Sequence, residues 1–152
     1  MIFLKKFLII LVLVLSFSDV INAVELPVTS PFGWRVHPIS GQWKFHSGVD
    51  LGYDYGSLII SLFDGEVVSS GNFSDGYGNQ VLIYHRSIDA YTRYAHCSEI
   101  YVSAGAEVLA GNVIGAVGST GYSTGPHLHL EYIIRDGDNY VYADPLILWQ
   151  TN

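Results

Sequence analysis

Beyond residue 24 the apolar positions come in short runs rich in Val, Ile, Tyr and Thr, and turn residues close each run within a few positions. No stretch there sustains a helical apolar period over three turns. The pattern predicts strands at 65–69, 80–85, 91–97, 107–109, 113–117, 127–135 and 140–143. Between them lie SGNFSDGYGN (70–79), RSID (86–89), SAG (103–105) and GSTGYSTGP (118–126), all turn-rich. The expectation is an antiparallel all-β domain with no linker, tandem repeat or low-complexity tract. Segments 28–45 and 118–126 read as long loops, and long loops on a rigid sheet are where sites tend to be built. All 16 glycines lie after residue 24, which strengthens the strand-and-turn reading because Gly dominates tight turns.

The first residues follow another pattern. Lys5 and Lys6 precede an apolar run, FLIILVLVLSF (7–17), and INA (21–23) ends on the small residue Ala23. A positive start, an apolar core and a small exit residue predict a secretory signal over 1–23, with a mature domain over 24–152. The run is too short for a bilayer-spanning helix, which needs about 20 apolar residues; an uncleaved anchor is the alternative. Without Lys5, Lys6 and Asp19 the chain carries 5 basic and 13 acidic side chains, a net charge of −8 with His neutral. That balance argues against nucleic acid and against anionic lipid, so no membrane contact is expected after cleavage of the signal. Cys97 is the single cysteine, so no internal disulfide can form.

Candidate chemistry gathers on histidines. In PHLHLEY (126–132) strand alternation puts His127 and His129 on one face and Leu128 and Leu130 on the other. Two adjacent imidazoles are costly to bury unless their nitrogens are satisfied; a metal ion would do so, and a solvated histidine pair is the competing reading. In HSGVDLG (46–52) the segment between His46 and Asp50 is too turn-prone for a helix, yet a bend can bring the two side chains toward one point. Two histidines and a carboxylate form a recognised zinc set that leaves a fourth position open, whereas calcium would call for oxygen ligands alone. In RYAHCSEI (93–100) alternation places His96 with Tyr94 and Thr92, and Cys97 on the opposite face. Glu131 shares the His127 and His129 face, as an imidazole partner or as a solvated carboxylate. Ser119, Thr120, Ser123 and Thr124 are candidate donors to substrate amides.

Taken in order, FGWR (32–35), HSGVDLG (46–52), DGEVVSSG (64–71), YGNQVLIYH (77–85), RYAH (93–96), GSTGYSTGPHLHLE (118–131) and ADPL (143–146) resemble the M23 family of zinc peptidases, the lysostaphin-like or LytM-type peptidoglycan endopeptidases. The resemblance implies antiparallel sheets around a groove, the duplicated-hybrid-motif domain of that family. It implies one zinc ion per chain, held by His46, Asp50 and His129, with His96 and His127 acting on the water and the transition state. It leaves open which of the two is the base. His37 and His85 match family segments outside the metal and catalytic positions and are read as structural. The implied partners are peptidoglycan stem or cross-bridge peptides, met by an exported, periplasmic or secreted, monomeric enzyme. Trp43 and Phe45 occupy a stretch where some glycine-bond-cleaving relatives carry a Tyr, which favours D-Ala-containing cross-links.

Rival readings meet specific obstacles. An inactive regulatory relative would have eroded zinc ligands, and none is missing. A lipoyl- or biotinyl-like carrier is suggested by VSAGAEVLAGNVIGAVGS (102–119), but no lysine follows Lys44 to carry the group. Nothing favours a polysaccharide-binding module.

Overall fold

A computed structural model describes residues 25–150; the secretory segment expected over 1–23 lies outside them. Twelve strands and one 3-10 turn make up the described chain: β1 (Val28–Ser30), β2 (Gly33–Val36), β3 (Trp43–His46), β4 (Val49–Leu51), β5 (Leu58–Ile60), β6 (Gly65–Asn72), β7 (Asn79–His85), β8 (Ala90–Ile100), β9 (Glu107–Val108), β10 (Val113–Val117), β11 (Leu128–Asp136), β12 (Asn139–Ala143) and the turn Pro145–Trp149. Ten strands form one sheet in the order β1-β4-β11-β8-β7-β6-β9, with β10 joining β8 to β5 and β12 joining β11. Every pairing is antiparallel. The all-β antiparallel class read from the sequence is the class observed.

All seven expected strands form, with ends shifted by a few residues. The first third of the chain differs. Segment 28–45, read as a loop, contains β1, β2 and β3, and β2 pairs with β3 as a separate hairpin. Its alternation is real but inverted. Trp34, Val36, Trp43 and Phe45 share one face by register, and that face looks outward, with Trp34 69% and Trp43 68% exposed. Arg35, Lys44 and His46 occupy the other face and line a groove.

The core is built from alternate residues of the long strands: Val49 and Leu51 of β4, Val81 and Ile83 of β7, and Leu128 and Leu130 of β11, closed by Val67, Ile114 and Val117. Burying each such side chain contributes about 1.5–3 kcal/mol. Tyr94 and Cys97 belong to the same cluster, so the expected alternation through RYAHC fails. Val81 pairs with Tyr94 but Asn79 pairs with Cys97, so β8 advances three residues where β7 advances two. The extra residue is a bulge, and His96 takes the positive φ of 60° that closes it. Tyr94 and Cys97 therefore share the core face, and His96 is turned off it. At the same point β8 changes partner, from β11 through Ala95 to β10 from Cys97 onward. Burial pushes the Cys97 thiol up to about 11, which makes it an inert packing group.

His85 is fully buried. Its Nδ1–H donates to the Asp64 carbonyl at 2.9 Å, and its Nε2 lies 2.7 Å from Thr92 Oγ1. Thr92 Oγ1 lies 3.1 Å from Tyr94 Oη, which accepts the Leu62 N–H at 2.9 Å. Burial lowers the His85 pKa despite the Asp64 carbonyl, so the folded protein resists the proton that the unfolded chain accepts. Stability is then fullest above about pH 6.5 and falls as pH drops below it. Urea unfolding between about pH 7.5 and 5.5 should show a shallower loss in His85→Gln than in the parent. Identical slopes would mean that His85 takes no part in the loss.

Candidate metal centre and its groove

β3 ends on His46 and β4 begins three residues later, so the connection is only Ser47 and Gly48. The turn fits because a Cβ on Gly48 would overlap the Leu130 carbonyl and crowd Glu131. With glycine there, β4 lies against β11 in the register Leu128 to Leu51, His129 to Asp50 and Leu130 to Val49. Asp50 and His129 thus stand side by side. His46 joins them from the hairpin, where it pairs with Gly33 and its Nδ1–H donates to the Pro31 carbonyl at 2.8 Å.

Three donor atoms meet at one point. His46 Nε2 is 3.1 Å from Asp50 Oδ1 and 3.1 Å from His129 Nδ1, and His129 Nδ1 is 2.8 Å from Asp50 Oδ1. His129 Nε2 faces the Glu131 carboxylate at 3.3 Å, which fixes the N–H on that side. The two inward nitrogens and the carboxylate oxygen then converge as lone pairs, an arrangement that requires a cation at its centre: a proton or a metal ion. Burial alone would raise the Asp50 pKa, but the His129 and His46 imidazoles more than reverse it and hold the carboxyl well below the usual range. Burial alone would lower His129, and the Asp50 and Glu131 carboxylates outweigh it and raise its pKa. His46, Asp50 and His129 form a group able to hold a metal ion.

His96 and His127 flank this point. Each presents its Nδ1 to a backbone carbonyl, Thr120 at 2.7 Å for His96 and Gly125 at 2.9 Å for His127. With each Nδ1–H committed, each Nε2 is turned toward the groove. His127 Nε2 lies 3.6 Å from Asp50 Oδ1, and the His96 and His127 rings are 4.7 Å apart between centroids. Burial pushes His96 down to about 4, aided by His127 and His129, so its imidazole is neutral at neutral pH. All five residues singled out in the sequence line one groove of about 290 Å³.

The model of peptidase family M23 matches residues 44–143, a span from β3 to β12 that holds all five. The chain belongs to peptidase family M23. It is 45% identical over 104 residues to the DD-carboxypeptidase/endopeptidase Mpg of Neisseria meningitidis, covering 68% of this chain and 24% of that protein. It is 40% identical over 101 residues to the peptidoglycan DD-endopeptidase ShyC of Vibrio cholerae, covering 66% of this chain and 23% of that protein. The chain spans about a quarter of the length of these curated relatives. Among solved structures, the catalytic domain of the antimicrobial peptidase lysostaphin from Staphylococcus simulans matches with a TM-score of 0.73 at 31% identity, covering 83% of this chain and 93% of that one. The family resemblance, the fold and the peptidase class read from the sequence are borne out.

Other features of this M23 domain escaped the sequence. Of the two sequence readings of Glu131, the structure agrees with the imidazole partner and not with the solvated carboxylate, since the side chain is fully buried; what the sequence did not show is what surrounds it. Its Oε1 accepts the Tyr77 hydroxyl at 2.7 Å and the Ser47 hydroxyl. Its Oε2 lies 3.1 Å from Arg93 Nη1, and the Arg93 guanidinium stacks 4.3 Å over the Tyr77 ring. Arg93 was findable, since Glu131 and Arg93 pair directly across β11 and β8; Tyr77 and Ser47 come from connections that give no such signal. The 118–126 loop also differs from expectation. The Thr120 hydroxyl donates to the Cys97 carbonyl at 2.8 Å and accepts the Asn79 N–H at 3.0 Å. Ser119 and Ser123 bond to each other at 2.9 Å. These hydroxyls hold the loop in shape, and of the four expected donors Ser123 and Thr124 line the groove.

Glu131 orients His129 through its outer nitrogen, the role carboxylates play behind metal-bound histidines. Glu131→Ala should weaken metal binding by about 10–100-fold, read by competition against a chromogenic chelator. An unchanged affinity in a folded variant would remove Glu131 from that role.

Proposed function

We propose that the chain is an exported, monomeric zinc endopeptidase that hydrolyses peptide bonds in the stem or cross-bridge peptides of peptidoglycan. The observation that carries this reading is the convergence of three donor atoms beside two further imidazoles, each held by a backbone carbonyl, in one groove. Two imidazole nitrogens and one carboxylate oxygen suit zinc and leave a fourth position open. A tetrahedral ion with ligands at ~2.0–2.1 Å separates them by about 3.3 Å, close to the spacing of His46, Asp50 and His129. When bound, zinc supplies Lewis acidity that makes a water easier to deprotonate and a carbonyl easier to attack.

The rest of the work falls to the chain. His96 and His127 each offer an Nε2 lone pair, so either can take a proton from the attacking water and deliver it to the departing amine. Because both Nδ1–H groups are committed to Thr120 and Gly125, neither Nε2 can donate until it has gained that proton. The imidazole that gains it becomes the donor, able to stabilise a developing oxyanion or protonate the amine. Glu131, Tyr77, Ser47 and Arg93 keep His129 in place from behind. The names of Mpg and ShyC both specify DD bonds, which supports D-Ala-containing cross-links as the substrate. The apolar run at 7–17 and Ala23 support export.

Asp50→Ala should lose the metal, whereas His96→Ala should retain about one zinc per chain and lose turnover by about 10²–10⁴-fold. Elemental analysis beside a rate assay reads both. Equal zinc loss in the two variants would mean that the roles are wrongly divided. On purified sacculi, cross-linked dimers should fall while glycan chain lengths stay fixed; released reducing sugars with unchanged cross-links would identify a different bond.

A further inference from the structure

The hairpin wall of the groove carries a charge pair that the reaction chemistry does not use. Arg35 and Lys44 pair directly across β2 and β3, so they project to the same face, and both line the groove. Like charges directly opposite on paired strands destabilise a hairpin. The cost is notable in a chain with only five basic side chains after residue 24. Arg93, by contrast, is paired with the buried Glu131 at 3.1 Å.

Little on the protein itself balances the pair. Arg35 Nη2 approaches Asp50 Oδ2 only to 3.7 Å, too far for a hydrogen bond, and Asp50 already serves the metal centre. Arg35 Nε has no hydrogen-bond partner among the described residues. Asp75, which also lines the groove, accepts from Gln80 Nε2 at 2.9 and 2.7 Å and from Tyr77 N–H at 3.1 Å. The hairpin wall of the groove is thus positive. Lys44 and Arg35 follow burial among the causes that lower the nearby His37 pKa.

Position decides what this wall can meet. Lys44 and His46 alternate on the same face of β3, about 6.6 Å apart along the strand. An extended peptide advances about 3.3–3.6 Å per residue, so the charged pair stands within two residues of the bond held at the metal centre. Arg35, reaching back toward Asp50, stands nearer still. Beyond the pair, His37 stacks on Tyr122 of the 118–126 loop, 5.6 Å between centroids and 15° between planes. His37 and Tyr122 both line the groove, so the stack joins its two walls.

We propose that Arg35, with Lys44 beside it, is the receptor for a free α-carboxylate on the amino acid that departs with the amine. The inference rests on the peptidase reading above and adds the substrate feature that selects the bond. Such a residue ends its own main chain one unit past the scissile amide, within the reach of Arg35 and Lys44 from the metal centre. A guanidinium fork recognises a planar carboxylate with two parallel hydrogen bonds. A glycine bridge, whose main chain continues past the cleaved bond, offers no carboxylate there.

The test uses two cross-linked muropeptide dimers that differ only in whether the α-carboxylate of the leaving residue is free or amidated. The zinc-loaded protein should cleave the free acid with kcat/KM about tenfold or more above the amide, mostly through KM. Arg35→Gln should erase most of the preference and Lys44→Gln should reduce it, each by lowering kcat/KM for the free acid more than for the amide. Lys44 has no contact with Asp50, so its variant separates carboxylate binding from metal loss, and zinc content is measured for both. Equal cleavage of the two dimers by the parent overturns the receptor and leaves the peptidase reading intact. A preference undiminished in both variants also overturns it. Cleavage of neither dimer by zinc-loaded protein refutes the peptidase reading on these substrates and the receptor with it.

Discussion

Everything that converges on the groove depends on one register, that of β4 against β11. Side chains alternate along a strand, so a slip of one residue would turn Asp50 into the core and present Val49 or Leu51 to the groove. The same pairing packs Val49, Leu51, Leu128 and Leu130 together. Apolar burial and the placing of two metal-ligand candidates are therefore one event. Gly48 is what permits it, because any side chain there meets the Leu130 carbonyl. The short Ser47–Gly48 link then brings His46 into the same corner, so that candidate ligands 79 and 83 residues apart in sequence meet within 3.1 Å.

The long strands were legible because their alternation runs for five residues or more, as in β7, β8 and β11. The strands of the first third escaped because they are three or four residues long and interrupted by turn chemistry. In the β2–β3 hairpin the signal existed, but it pointed the wrong way: the apolar side chains face solvent and the polar ones face the groove. The five site residues were legible as types and spacings. Their meeting was not, since spacing alone cannot supply the register that sets Asp50 beside His129. The resemblance to M23 peptidases supplied that step. The face of His96 was misread for a different reason. A positive φ is uncommon for a non-glycine residue, and nothing in RYAHC announces the bulge.

The site balances opposed electrostatic demands through buried partners. Glu131 is withdrawn from water, a costly position for a carboxylate, yet Arg93, Tyr77, Ser47 and His129 share its charge. Asp50 lies between the imidazoles and Arg35. The backbone does the quieter part, with the carbonyls of Pro31, Thr120 and Gly125 each fixing one imidazole proton on the side away from the centre. Tautomers are thus chosen by main-chain geometry, which side-chain substitution elsewhere leaves largely alone.

The bulge at His96 carries an implication for how such a domain can change over time. Residues 90–95 answer to β11, and Cys97, Glu99 and Ile100 answer to β10, with His96 standing where β8 passes from one ladder to the other. Swapping its side chain alters chemistry alone, but removing one residue there would merge the two ladders into a single phase. Cys97 would then inherit the outward position, and the β10 and β5 strands would lose their alignment. The site is encoded in residue counts as firmly as in residue types. Sequence drift among descendants should therefore be generous with substitution on this strand and intolerant of single-residue gaps.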